Sequence, residues 1–415
     1  MKKAAYIICL VILINVIYSC NKEQPVNSSG SENIPSVSST GNSSSDSKSN
    51  STNSEAEDPN ALLVYNKFSV KSYGLSLYKG NVVYNEQAML IKEEDGSFKD
   101  ITLMYDINEI VAVYDISFTI KYEEGKDYIL KSGKISIPSG TTIPYFEKSF
   151  LFPLNPIEPD IGNTANAING GFVWHNGGPE IARRLIQVTY RHNDNWKEYI
   201  PEYKGNFLPK TMKKLADNTD LRIAFIGDSI SSGSDAGNAS ECPNYVRFAY
   251  DMLRDICGYK KVYHENFAEG GKTSTWGIEQ MELRVNNYKP DLVVIAFGMN
   301  DGGSNPERFC ENLGKMMHSA LSVNPDCEFL LISTMLPNPD TTNYNSGKQY
   351  DLEPEMMKLE KEGVALVRVT TLHTDLLTRK KYQDLTGNHF NHPNDFLIRV
   401  YAQAVVSALV KDYNK

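Results

Sequence analysis

From Leu221 onward, short apolar runs alternate with stretches of helical periodicity, and no other feature of the chain restricts the fold as much. The runs are Leu221–Ile226, Lys261–Phe267, Asp291–Phe297 (DLVVIAF), Glu328–Ser333 (EFLLIS) and Val364–Val369. The first, third and fourth are nearly continuous apolar stretches, as strands buried on both faces should be. Tyr245–Cys257, Gly277–Asn286, Pro306–Val323, Glu353–Glu362, Leu372–Lys380 and Phe396–Val410 read as helices between and after them. Parallel neighbours can be joined only by a crossover, normally helical. The alternation therefore predicts an α/β fold over residues 206–415: a doubly wound parallel sheet of flavodoxin-like, three-layer form. Such sheets bind ligands at the carboxyl ends of their strands. The residues that follow each run are thus the candidates for chemistry.

The N-terminal part is built on other principles. Lys2 and Lys3 precede the apolar stretch Ala4–Val16, which is short for a membrane span, and Ile17-Tyr18-Ser19-Cys20 follows. This is the pattern of a secretory signal and is set aside in reasoning about the fold. It is similar to a bacterial lipoprotein signal, which implies lipidation of Cys20 and an exported, membrane-anchored lipoprotein facing the cell surface or periplasm. An ordinary signal peptide that happens to contain a cysteine is the other reading. Residues 21–59 are rich in Ser and Asn and poor in large apolar side chains, the composition of a disordered tether. Four cysteines lie beyond Cys20, namely Cys242, Cys257, Cys310 and Cys327. No CxxC or zinc-finger spacing links them, so no metal is expected, and whether they pair stays open. A net charge of −9 argues against a nucleic-acid partner, and no obligate protein partner is implied.

Residues 60–205 are expected to form a β-rich accessory domain, β-sandwich-like, ahead of the α/β domain. Val111–Lys121 is rich in β-branched and aromatic residues, and Tyr128–Leu130 and Lys134–Ile137 follow between Gly-containing turns. Carbohydrate binding and plain packing are both open roles for it. Leu185–Tyr190 adds one further strand in a Gly-, Pro- and Asn-rich region. Trp174, His175, Trp196 and Tyr199 there could stack on sugar rings or serve as core.

At the rim of the predicted parallel sheet, four residues form a chemical set. The first run ends in Gly227-Asp228-Ser229-Ile230, the second leads to Gly270-Gly271-Lys272-Thr273-Ser274, and the third to Gly298-Met299-Asn300-Asp301. Asn391-His392-Pro393-Asn394-Asp395 precedes the final helix. A serine needs an adjacent base to become a nucleophile, and histidine has a suitable pKa. A tetrahedral oxyanion needs fixed donors, which the Ser229 N–H, the Gly271 N–H and the Asn300 amide would supply.

In order and spacing these four residues resemble the SGNH/GDSL hydrolase superfamily, whose signature is Ser, Gly, Asn and His. The resemblance covers about Leu221–Val410 and implies Ser229 as nucleophile, His392 as base, and Ser229, Gly271 and Asn300 as the oxyanion hole, with no cofactor. GMND and NHPND are most similar to bacterial carbohydrate esterases that remove acetyl groups from polysaccharides. The implied substrate is an acylated carbohydrate, attacked through an acyl-enzyme. The family's acid normally stands three residues before the histidine, and here that position is His389. A second histidine cannot supply the negative charge that stabilises an imidazolium. A backbone carbonyl, Asp384, or weakened catalysis are the readings left open, with Asp395 better explained at the start of a helix. Two rival functions follow: a lipase, phospholipase or thioesterase using the same site, and a surface carbohydrate-binding lipoprotein with a degenerate hydrolase domain.

Overall fold

The computed structural model describes residues 67–238, 240–342 and 347–415. The signal stretch with Cys20 and the tether 21–59 lie outside the described residues. The strands are β1 (Val82–Lys92), β2 (Glu109–Asp115), β3 (Ile129–Lys131), β4 (Lys134–Ser136), β5 (Tyr145–Glu147), β6 (Asn163–Asn166), β7 (Phe172–His175) and β8 (Leu185–Arg191) in the N-terminal region. They build a four-stranded mixed sheet in the order β2-β8-β1-β5, with β3–β4 and β6–β7 as separate two-stranded ribbons. The C-terminal region carries β9 (Leu221–Gly227), β10 (Val262–Asn266), β11 (Leu292–Ala296), β12 (Glu328–Ile332) and β13 (Val364–Val367). Its principal helices are α1 (Pro209–Ala216), α2 (Ser229–Ser232), α3 (Tyr245–Asp251), α4 (Ser274–Gln280), α5 (Pro306–Val323), α6 (Gln349–Met357), α7 (Val369–Leu377) and α8 (Asp395–Leu409).

β9 to β13 form one sheet, parallel throughout, in the order β10-β9-β11-β12-β13. Counted from β9 this is the doubly wound order 2-1-3-4-5, whose topological switch point lies between β9 and β11. Side chains alternate across the sheet: Ile223 and Phe225 face one core, while Ala224 and Ile226 face the other. Burial on both faces is why β9, β11, β12 and β13 read as apolar runs, whereas β10 at the sheet edge is half exposed.

The change of secondary structure near residue 205 is not a change of core. The described residues all fall within one compact unit. A single hydrophobic cluster holds Val83, Ala88, Val188 and Tyr190 of the β-rich sheet together with Phe225, Phe248 and Tyr401. α8 is buried along its whole length, because one side meets the parallel sheet and the other the β-rich region. There Arg399 Nη1 donates to Tyr84 O at 2.7 Å and Gln403 Nε2 to Tyr73 O at 2.9 Å. The four cysteines beyond the tether are all unpaired, which closes the question their spacing left open.

Candidate active site

β9 delivers Ser229 to the switch point. Gly227 ends the strand where a Cβ would lie 2.5 Å from both Ala296 O and Ser231 Oγ, so the chain can turn there only without a side chain. Asp228 then caps α2, its Oδ1 accepting from Ile230 N–H at 3.0 Å. It also accepts from the Met299 N–H, and burial pushes its carboxyl up to about 7. Ser229 follows as the first residue of α2, 5% exposed.

His392 reaches the same point from the turn before α8. Its Nε2 lies 2.8 Å from Ser229 Oγ, and its Nδ1 lies 2.5 Å from Asp235 Oδ2. With the carboxylate at Nδ1, that nitrogen carries the proton and donates it. Nε2 is then the acceptor for the Ser229 hydroxyl. The chain Asp235–His392–Ser229 is only slightly exposed, at 11% and 16% for the carboxylate and imidazole side chains.

Asp235 is the residue that sequence reasoning missed. It sits six positions after the serine, on the turn that leaves α2, with φ +62°. Neither carboxylate weighed from the sequence holds the Nδ1. Asp384 Oδ1 accepts from Met89 N–H at 2.8 Å and lies 2.9 Å from Lys381 Nζ, so it ties β1 to the C-terminal region. Asp395 is the first residue of α8, Asn394 being its N-cap. Its carboxylate accepts from Gly237 N–H at 2.8 Å and from the Ser240 hydroxyl, so it anchors the turn that bears Asp235. In place of a backbone carbonyl, the group at Nδ1 is a carboxylate supplied by a different loop. Asp235 carries no spacing signal. The only hint was its place in a Ser/Gly-rich turn at the rim already marked by Ser229.

His389 turns away from His392. Its Nδ1 donates to Trp174 O at 2.7 Å, its Nε2 meets Gln383 Nε2 at 3.0 Å, and its ring stands edge-on to Phe152. Burial lowers its pKa to about 4, so it is a neutral latch between the two regions.

Two loops face the serine from the other side. The Gly270–Gly271 turn lies beside it, a Cβ on Gly270 falling 3.8 Å from the Ser229 Cβ. Gly271 itself has φ +74° with open space around it. Asn300 stands on the 3-10 turn Met299–Asp301, and its Nδ2 donates to Lys272 O at 3.0 Å. Asp301 locks the two loops together: it accepts from Ser274 N–H at 3.0 Å and from Ser274 Oγ at 2.6 Å. The site therefore brings together Ser229, Gly271, Asn300 and His392, and adds Asp235. Of the aromatic residues in the β-rich region, Trp174 is fully buried and Trp196 and Tyr199 pack against the core. His175 stacks on Phe390, ring centroids 4.2 Å apart.

Residues 225–396 match the model of the GDSL-like lipase/acylhydrolase family. That stretch is thus a GDSL-like domain, set within a larger folded unit. No curated protein matches the chain. Among solved structures, the chain is similar to a two-domain esterase (CEX) active on acetylated mannans, crystallised with mannopentaose. The two share 21% identity over 49% of this chain and 53% of that one, with a TM-score of 0.40. The chain thus spans about half the length of that esterase. It is also similar to the acetyl xylan esterase AlAXEase, with 20% identity over 46% of this chain and 100% of that one and a TM-score of 0.38. A catalytic mutant of Axe2, an acetylxylan esterase from Geobacillus stearothermophilus, gives 16% identity over 46% and 95%, with a TM-score of 0.38.

Proposed function

We propose that this protein is an exported serine esterase that removes O-acyl groups, foremost O-acetyl, from a polysaccharide or glycoconjugate. The observation that carries the reading is the unbroken hydrogen-bonded chain from Asp235 through His392 to Ser229. Ser229 Oγ attacks the ester carbonyl while His392 Nε2 takes its proton, and Asp235 stabilises the imidazolium that results. The oxyanion is held by the Ser229 and Gly271 N–H groups and by Asn300. One of the two amide hydrogens of Asn300 is committed to Lys272 O, which fixes its plane and leaves the other for the oxyanion. His392 then protonates the departing sugar oxygen. Water, deprotonated by the same nitrogen, attacks the acyl-enzyme, and Ser229 recovers its proton as acetate leaves.

One feature favours a small acyl group: Ser229 is nearly buried, with the Gly270–Gly271 turn against it. The degenerate-domain reading rested on His389 in the acid position, and Asp235 removes that motive. A series of p-nitrophenyl esters tests the choice. Activity falling steeply beyond C2–C3, with acetate released from acetylated xylan or glucomannan, is the expected result. Activity rising toward C8–C12 would favour the lipase reading, and equal inactivity of wild type and Ser229→Ala would favour a binding protein. Lipidation of Cys20 is part of the proposal: palmitate labelling should vanish in Cys20→Ala, and its persistence would contradict the anchor.

A further inference from the structure

We infer that the β-rich region belongs to the catalytic apparatus, its segment 176–178 positioning the Asp235 carboxylate. The inference rests on the reading of Asp235 as the acid that orients His392. The segment leaves β7 at His175 and runs beside the turn that carries His392. Trp174 O accepts from His389 Nδ1, Asn176 N–H donates to Asn388 O at 3.2 Å, and Gly178 N–H donates to Asp235 Oδ1 at 2.8 Å. One carboxylate oxygen is thus held by the β-rich region and the other by His392.

Three glycines shape the cradle. A Cβ on Gly177 would lie 2.9 Å from Asp235 Oδ1. Gly178 has φ +89° and ψ −157°, a conformation close to glycine-only. On the opposite side a Cβ on Gly387 would lie 3.1 Å from the Asp235 Cβ and 2.7 Å from Pro393 O. Asp235 itself is left-handed, at φ +62°, a state that non-glycine residues keep when their surroundings impose it. A carboxylate at the tip of a turn, free of these contacts, would turn among rotamers and hold the imidazole only part of the time. Fixed on both oxygens, it keeps His392 aimed at Ser229, and misplacement by about 1 Å in such a group can cost about 10²-fold in rate. Segment 176–178 acts through Asp235 and so positions the triad without touching substrate.

Gly177→Ala in the full chain tests this, since its methyl would push Oδ1 away from its present place. With p-nitrophenyl acetate the expected result is a fall in kcat of about 10- to 10²-fold with KM little changed. The low-field proton resonance of His392 Nδ1–H should shift or disappear. In an Asp235→Asn background the same substitution should cost nothing further, because the two losses share one path. A second measurement does not depend on how Gly177→Ala folds: the Gly178 amide resonance of the wild type should move upfield in Asp235→Asn. Wild-type kcat in Gly177→Ala, losses that multiply in the double variant, or a Gly178 amide unmoved by Asp235→Asn would each overturn the inference. Wild-type kcat in Asp235→Asn would instead remove the reading of Asp235 on which it rests.

Discussion

Asn300 and Asp228 show how single side chains set the site's electrostatics. Truncation of Asn300 to Ala removes a donor aimed at developing charge and also releases Lys272 O. The expected loss in kcat is about 10²–10³-fold, read by steady-state kinetics at unchanged melting temperature. Asp228 makes itself felt in stability instead. Its carboxyl is pushed by burial from 3.8 to about 7, so between those values the native state binds a proton that the unfolded chain does not. Stability from this group is complete below about pH 4 and is lost as pH rises through about 7. His389 and His373, lowered by burial to about 4 and about 3, act in the opposite sense, stability rising with pH up to about 6.5. The contribution of Asp228 is therefore read as a difference. The stability of wild type relative to Asp228→Asn, from thermal melts, should decline from pH 4.5 to pH 8. Ser229, Gly271, Asn300 and His392 were legible because each follows an apolar run, or precedes the last helix, in a family order. Asp235 was not, since a lone Asp in a turn looks the same whether it faces solvent or an imidazole.

Elements were legible wherever burial imposed a period. Four of the five parallel strands stand on apolar runs and the half-exposed β10 on the Lys261–Phe267 segment, and α5 spans Pro306–Val323 as expected. α6 departs from expectation: it starts at Gln349 rather than Glu353, with Pro354 inside it. Gln349 is buried and donates from Nε2 to Met299 O at 2.9 Å, a tertiary anchor that no local pattern announces. The turn between α2 and α3 depends in the same way on a distant element, for its anchor is Asp395 at the start of α8. Asp395→Ala would orphan the Gly237 N–H and the Ser240 hydroxyl, each costing about 1–3 kcal/mol if left unpaired. A lowered melting temperature together with reduced kcat is the expected result. Loss of stability with full activity would show that this turn does not need its anchor to present Asp235.

Over the whole molecule, contacts between the β-rich and α/β regions decide both folding and chemistry. Lys380 Nζ lies 2.6 Å from Glu86 Oε1 with both side chains fully buried, and Glu86 also accepts from Met104 N–H and the Tyr190 hydroxyl. Removing one partner of such a pair strands the other charge, at a cost of about 3–5 kcal/mol. Glu86→Ala should therefore lower one cooperative melting transition for the entire unit. Two separate transitions would mean that the β-rich and α/β regions fold independently. The change of period near residue 205 suggested two domains because periodicity reports local structure, while the shared core around α8 depends on contacts far apart in sequence. The same long-range packing brings Gly178 to Asp235 and completes the chain of hydrogen bonds to Ser229. That chain is tested most directly by the rate at which a fluorophosphonate labels the protein. The adduct should map to Ser229 and form about 10³–10⁴-fold more slowly in Asp235→Asn than in wild type. An adduct on another residue, or equal labelling rates in the two proteins, would contradict it.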